Sequence, residues 1–277
     1  MTSFDALVGN HYSSGGLLER ILEGLARAGK DVAALVPDDL VPVDAFHSRG
    51  KHATVELAAL AGLSVGDRVL DVGCGLGGTA RHLAQEIGCR VVGLDLTAEY
   101  ITVGNRLNEL VGLQEGVELR RGNALEIPYG EGSFDVALTE HVQMNIGDKD
   151  AFYTESARVL KPGGRLLFHD VFRGPGEEPL YPVPWADDAS LSHLASEHVA
   201  KEALGRAGLG IEVWNDRTAE SAAFFAKTLA RIGEKGVPPL GIHLLMGDNA
   251  PDKLRNYARN LGEGRVSVVM GMAVKKG

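Results

Sequence analysis

The chain has 277 residues, 44% of them hydrophobic, enough to bury the core of one catalytic domain with a modest cap and less suited to two independent domains. A formal net charge of -9 and a pI near 5.5 set it against polyanions, so nucleic acid and anionic membrane surfaces are excluded as favoured partners. Two cysteines, Cys74 and Cys89, fit neither a disulfide framework nor zinc spacing, the first 30 residues lack a secretory pattern, and no apolar run nears the ~18 residues of a membrane span; the expectation is a cytoplasmic protein without membrane insertion.

Leu17, Leu18, Ile21, Leu22 and Leu25 recur at helical spacing, so residues 1–62 are expected to form an N-terminal helical lid. A turn-rich stretch around Pro37 and Pro42 interrupts it, and a helix over 52–61 ends at Gly62. From Asp67 onward short apolar runs alternate with helical segments, the signature of a parallel sheet with crossover helices. Strands are predicted at 68–72, 90–94, 117–121, 134–139 and 165–170, with helices at 79–87, 98–110 and 149–159. The run from Arg158 to Arg165 reads as a helix end, a Pro-Gly turn and a strand start. Four prolines (Pro175, Pro179, Pro182, Pro184) mark an insertion over 172–195, followed by a helix at 196–207. Strands at 211–216 and 265–274 enclose a second insertion, 218–262, mainly helical and broken at Pro238-Pro239. The fold expected for residues 63–277 is a Rossmann-like α/β domain, with a doubly wound, mostly parallel seven-stranded sheet and helices on both faces.

The segment Val69-Leu-Asp71-Val-Gly73-Cys-Gly75-Leu-Gly77-Gly78 follows the first strand and opens a helix, where glycines allow a sharp turn and close approach of a ligand to the backbone. Asp95 ends the next strand about 20 residues on, where a carboxylate can accept hydrogen bonds from ribose hydroxyls. A dinucleotide would place its pyrophosphate at the helix N-terminus, close to the negative charge of Asp71. S-adenosyl-L-methionine (SAM) has no phosphate but carries a sulfonium, an ammonium and a ribose, and the two acids match that pattern better. The glycines serving only a tight turn is the plain alternative.

Asp71-Val-Gly73-Cys-Gly75-Leu-Gly77, Asp95, Gly122-Asn123-Ala124 and Leu160-Lys-Pro-Gly-Gly164 resemble, in that order, the motifs of class I SAM-dependent methyltransferases over roughly residues 65–170. The resemblance implies that Asp71, Gly73, Gly75 and Gly77 surround the methionine part, Asp95 holds the ribose, Leu96 packs on the adenine, and Asn123 with Ala124 borders it. The family often has Asp where Asn123 stands, and an amide can also bond the adenine amino group. S-adenosyl-L-homocysteine is the product to expect.

Methyl transfer from a sulfonium needs mainly an in-line approach near ~3 Å and exclusion of water, and a base only when the reacting atom carries a proton. Glu140-His-Val-Gln-Met-Asn145 follows the fourth strand at the sheet's carboxyl edge; Glu140 is placed with the cofactor and His141 is the candidate base, or else a hydrogen-bonded loop histidine. Related O-methyltransferases often carry a histidine a few residues after the acid that Glu140 resembles, and an Asp ending the fifth strand. Here Gln143 stands near the histidine's place, and Asp170 is the strand-end acid, able to bind or deprotonate the acceptor or to cap the next segment. His11, Tyr12 and the run Phe46-His-Ser-Arg49 resemble lid segments, with Arg49 as a partner for the methionine carboxylate or a surface arginine. Trp185 is either an aromatic wall for an ammonium group or core packing.

The layout is similar, more loosely, to bacterial glycine, sarcosine and dimethylglycine N-methyltransferases. A small-molecule acceptor is expected, an amine first, with O- or C-methylation of a natural product or lipid-derived intermediate as the rival. An NAD-dependent oxidoreductase and a non-catalytic SAM-binding module are the readings of another class. No metal site is expected, and a homodimer is compatible with the sequence.

Overall fold

Val69 and Val91 pack to one face of the sheet and Leu70, Val72, Val92 and Leu94 to the other, all buried, which is why these runs read as continuously apolar. The computed structural model describes Gly9, residues 11–12 and residues 15–277; the rest of the expected lid, residues 1–8, 10 and 13–14, lies outside the described residues. Seven strands, β1 (Arg68–Val72), β2 (Arg90–Asp95), β3 (Val117–Arg121), β4 (Phe134–Glu140), β5 (Leu160–Arg173), β6 (Leu209–Asp216) and β7 (Val266–Lys275), run in the order β3-β2-β1-β4-β5-β7-β6. β1 to β5 are parallel, and β7 lies antiparallel between β5 and β6. The chain moves outward from β1 through β2 to β3, then returns to place β4 on the other side of β1. That reversal opens a crevice at the carboxyl ends of β1 and β4, the place where doubly wound sheets bind ligands.

One face of the sheet is covered by α3 (Lys51–Ala61), α4 (Gly78–Glu86) and α5 (Ala98–Leu110), whose Leu57, Leu83 and Ile101 meet Val69, Val91 and Leu138. The other carries α6 (Lys149–Val159) and α7 (Glu197–Arg206), with Phe152 and Leu204 against Leu70, Val92 and Phe168. α1 (Leu17–Arg27) and α2 (Pro37–Asp44) bury Leu17, Ile21, Leu25 and Leu40 against Tyr100, Val103 and Leu107 of α5. α8 (Thr218–Lys235), α9 (Ala250–Gly262) and the proline-rich segment form a further cluster around Trp185, Phe225, Leu254 and Tyr257. No described helix is long and apolar enough to cross a membrane.

Three local readings change. The stretch around Pro37 and Pro42 is helical: Pro37 occupies the first turn, where a missing N–H costs nothing, and the Asp39 carboxylate accepts from the Val36 N–H at 3.0 Å. α3 lies on the sheet instead of over the crevice, because its Ala53, Leu57 and Ala61 are the apolar stripe that face requires. β5 starts at Leu160, paired with Phe134, so the Pro-Gly turn with Gly163 at φ 73° is an irregularity inside the strand.

Lys149 shows how the post-β4 loop is held. Its ammonium, 7% exposed as a residue, donates to the carbonyls of Gln143 (2.5 Å), Ile146 and His193 (2.8 Å), joining that loop to the proline-rich insertion. Burial lowers its pKa to about 8, while Asp170 acts in the opposite direction. Lys149→Met should cost about 3 kcal/mol, since buried carbonyls lose their donor. A lower urea midpoint at unchanged m-value would show this, and a loss under about 0.5 kcal/mol would contradict it.

Candidate active site

The crevice begins where β1 gives way to the glycine loop. Gly73 (φ 77°) has room for no side chain, since a Cβ there would fall 2.2 Å from Val142 Cγ2. At Gly75 (φ 54°) nothing lies within 4 Å of that position, so the backbone is open to the cavity it lines. Gly77 is set back from the cavity lining: it precedes α4 at φ 81°, and a Cβ there would meet Leu119 at 2.8 Å. Its role is the turn and helix packing, a correction to the expected contact with the methionine part.

Two acids sit on the cavity wall. Asp95 accepts from the Gly75 N–H (Oδ2, 2.9 Å) and the Thr97 N–H (Oδ1, 2.8 Å), which fixes the carboxylate while each oxygen keeps capacity for a further donor. Burial raises its pKa, and those N–H bonds pull it back. Asp71 is 3% exposed, and its Oδ2 has no hydrogen-bond partner although it is buried. Burial, then Glu140, then Asp95 push Asp71 well above the usual carboxylate range, and a cationic ligand would relieve all three. An orphaned buried oxygen beside a fixed diol acceptor fits the ammonium and ribose of SAM. Leu96, Asn123 and Ala124 line the same cavity, with Asn123 Oδ1 also accepting from the Leu125 N–H at 2.9 Å.

The first residue of α4, Gly78, lies under Asp44: a Cβ on Gly78 would fall 2.4 Å from Asp44 Cβ. Asp44, paired with Arg81, thus occupies the start of the helix where a pyrophosphate would have to sit.

At the other end, Glu140 and His141 line the cavity. The His141 N–H continues the ladder to the His169 carbonyl at 2.9 Å, and the residue then turns out of the strand at φ 56°, a left-handed conformation that costs energy for any side chain. The turn is held by Asp170, whose Oδ1 accepts from the N–H groups of Val142 (2.7 Å) and Gln143 (3.2 Å). Asp170 is 1% exposed, absent from the cavity lining and raised to about 7, mainly by burial. It therefore caps the next segment and positions His141, the second of the two readings the sequence leaves for it, and does not line the cavity as an acceptor-facing acid would. Gln143 is also buried away from the cavity, donating to the Val171 carbonyl at 2.6 Å. Burial, then His47, hold His141 well below the ordinary histidine value, so its ring is neutral at neutral pH.

The lid residues divide. Tyr12 lines the cavity and donates to Asn145 Oδ1 at 2.9 Å, whereas His11 turns away to Asp187 (3.1 Å) and the Pro184 carbonyl. Arg49 pairs through Nη2 with Glu56 of α3, which also takes Arg217; its Nη1 is buried without a hydrogen-bond partner, and the residue is absent from the cavity lining. Trp185 is 1% exposed, donates to Ser192 Oγ and stacks edge-on with Tyr257, as core packing requires. Residues not singled out from the sequence complete the wall: Phe46 and Tyr100 beside Tyr12, and His47 close to Glu140. Phe46 and His47 lay in the quoted lid run; Tyr100 gave no signal beyond an apolar helix position.

Comparison with known proteins agrees with this geometry. The methyltransferase domain family matches residues 70–168. The chain is similar to sterol 24-C-methyltransferase of Eremothecium gossypii, 32% identical over 58% of this chain and 45% of that protein. It is also similar to glycine/sarcosine/dimethylglycine N-methyltransferase of Actinopolyspora halophila, 29% identical over 61% of this chain and 30% of that protein. The matched stretch spans half or less of the length of these curated relatives. Among solved structures, Haemonchus contortus phosphoethanolamine N-methyltransferase 2 in complex with SAM superposes with a TM-score of 0.76, at 20% identity, over all of this chain and 61% of that one, a likeness of fold. Glycine loop, paired acids, strand order and family match converge on one conclusion: this chain carries a class I SAM-dependent methyltransferase domain.

Proposed function

We propose that the chain transfers a methyl group from SAM to a small molecule, with an amine as the first acceptor class to test. The observation that carries this reading is the buried, unpartnered Asp71 oxygen on the same cavity wall as the fixed Asp95 carboxylate. SAM supplies an already activated methyl group, so the chain has to bind, orient, exclude water and, for a protonated acceptor, take up a proton.

In this reading Asp71, Gly73 and Gly75 hold the methionine part, Asp95 the ribose, and Leu96, Asn123 and Ala124 the adenine. Tyr12 and Phe46 close the acceptor end, and His141 accepts the proton that the acceptor sheds as its new bond forms. The His141 Nε2 receives only a long 3.4 Å contact from the Ser48 N–H, which an acceptor proton can replace. The rings of Tyr12, Phe46 and Tyr100, lining the same cavity as Glu140, suit an amine. O- or C-methylation is the second reading, favoured by the imidazoles of His47, His141 and His169 grouped around Glu140, able to receive a proton from a hydroxyl or an activated carbon.

Asp95→Ala should weaken SAM binding about 10- to 100-fold, the loss of charge-assisted bonds to the ribose. Calorimetry showing unchanged affinity would remove that role. A panel of amines, hydroxy compounds and carbon acids, assayed by S-adenosylhomocysteine release, tests the activity. Release with amines supports the first acceptor class, and release with hydroxyl or carbon acceptors alone replaces it by the second. SAM binding without release from any member points to a binding module.

A further inference from the structure

The sequence offers no metal-ligand spacing, yet the fold brings together three side chains that share one small volume. Glu140 Oε1 faces His47 Nε2 at 3.6 Å and His169 Nδ1 at 4.0 Å, and the three atoms all lie within 4.8 Å of one another. Their side chains are between 0 and 6% exposed. Donors bound tetrahedrally at zinc distances stand about 3.4 Å apart, so the two separations from Glu140 Oε1 are close to that value, and the histidine pair has to close from within 4.8 Å.

The remaining atoms of these side chains explain why this is more than proximity. Glu140 Oε2 accepts from Thr79 Oγ1 (2.6 Å) and Thr54 Oγ1 (3.2 Å), so Oε1, with only a longer 3.4 Å contact from the same Thr54 hydroxyl, faces the histidines. His47 Nδ1 lies 3.3 Å from the Ser48 carbonyl, which places a hydrogen on Nδ1 and, in the neutral ring, a lone pair on Nε2. That lone pair then confronts a carboxylate oxygen, with only a 3.4 Å contact from Thr54 Oγ1 nearby, an arrangement a cation resolves. His169 is fully buried with neither ring nitrogen partnered. A buried imidazole left in that state is costly, and a bound cation is one arrangement that relieves it. Glu140 and His169 are register partners on β4 and β5, so the backbone fixes two of the three donors.

We propose that His47, Glu140 and His169 bind one divalent first-row transition ion. Two imidazoles and one carboxylate are the donor set of catalytic zinc and of non-haem iron(II), and two nitrogens disfavour magnesium and calcium. Three protein ligands leave at least one position open. Because His47 and Glu140 line the cavity, that position faces the space beside His141, where it can take water or an oxygen of the acceptor. The site goes beyond the methyl-transfer reading and does not depend on it.

The test is a cobalt(II) titration of the untagged, chelator-treated full chain, followed by visible absorption. The expected result is one equivalent bound, with a d–d band of low-coordinate cobalt that zinc displaces. His47→Ala and His169→Asn should each weaken binding at least about tenfold while far-UV circular dichroism stays native. If His169→Asn fails to fold, His47→Ala decides alone. No saturable band, or a band unaffected by the variants, overturns the site. SAM affinity is measured on the same sample. Cobalt uptake without SAM uptake contradicts the proposed function and leaves this site standing, and the reverse contradicts this site alone.

Discussion

His141→Ala is expected to lower kcat by about 10²- to 10⁴-fold with any acceptor that must lose a proton, while SAM affinity stays within about twofold. The ring lies on the cavity wall at the carboxyl edge of β4, in a backbone conformation maintained by the Asp170 clamp on Val142 and Gln143. Burial keeps the ring neutral, so it is ready to accept a proton, and the attacking group becomes more acidic as it gains the methyl. Single-turnover assays with SAM prebound separate the chemical step from binding. A variant whose kcat stays close to that of the parent, with an acceptor carrying a proton at the reacting atom, would leave positioning alone as the source of rate.

Trp185→Ala should cost about 3–5 kcal/mol of stability, the range for deleting a large buried aromatic side chain. The ring is 1% exposed, meets Tyr257 at 5.2 Å and lies among Val171, Phe225 and Leu254. Its backbone carbonyl also accepts from Asn145 Nδ2 at 2.9 Å, and Asn145 in turn holds Tyr12, so loosening this cluster should reach the lid. Denaturant unfolding would show a lower midpoint and, at a concentration where the variant remains folded, weaker acceptor binding. A loss below about 1 kcal/mol would mean that the cavity collapses around the deletion or that the ring is less deeply packed than described.

The sheet was legible in the sequence because its inner strands are apolar on both faces, as at Arg68–Val72, its edge strand alternates, as at Val117–Arg121, and each is followed by a turn or helix start. α2 was hidden by Pro37 and Pro42, whose usual meaning is a turn, although Pro37 is at home in the first helical turn and Pro42 is carried inside this short helix. The candidate site was legible where function lies in a local motif, as with Asp71, Gly75 and Asp95 along the cavity. It was not legible where tertiary pairing chooses the partner. Arg49 is drawn to Glu56, which Arg217 reaches from 161 residues away. Likewise, neighbouring strand residues face opposite sides, so of His169 and Asp170 only one can share a face with Glu140. The β4–β5 register gives that face to His169 and turns Asp170 to the loop.

The crevice between Asp71 and Asp95 fits a cation carrying a ribose and no phosphate. Calorimetric titration of the full chain with SAM and, separately, with NAD addresses it directly. Saturable one-to-one binding of SAM and no measurable heat with NAD are expected. Preference for NAD, or no uptake of SAM, would contradict it.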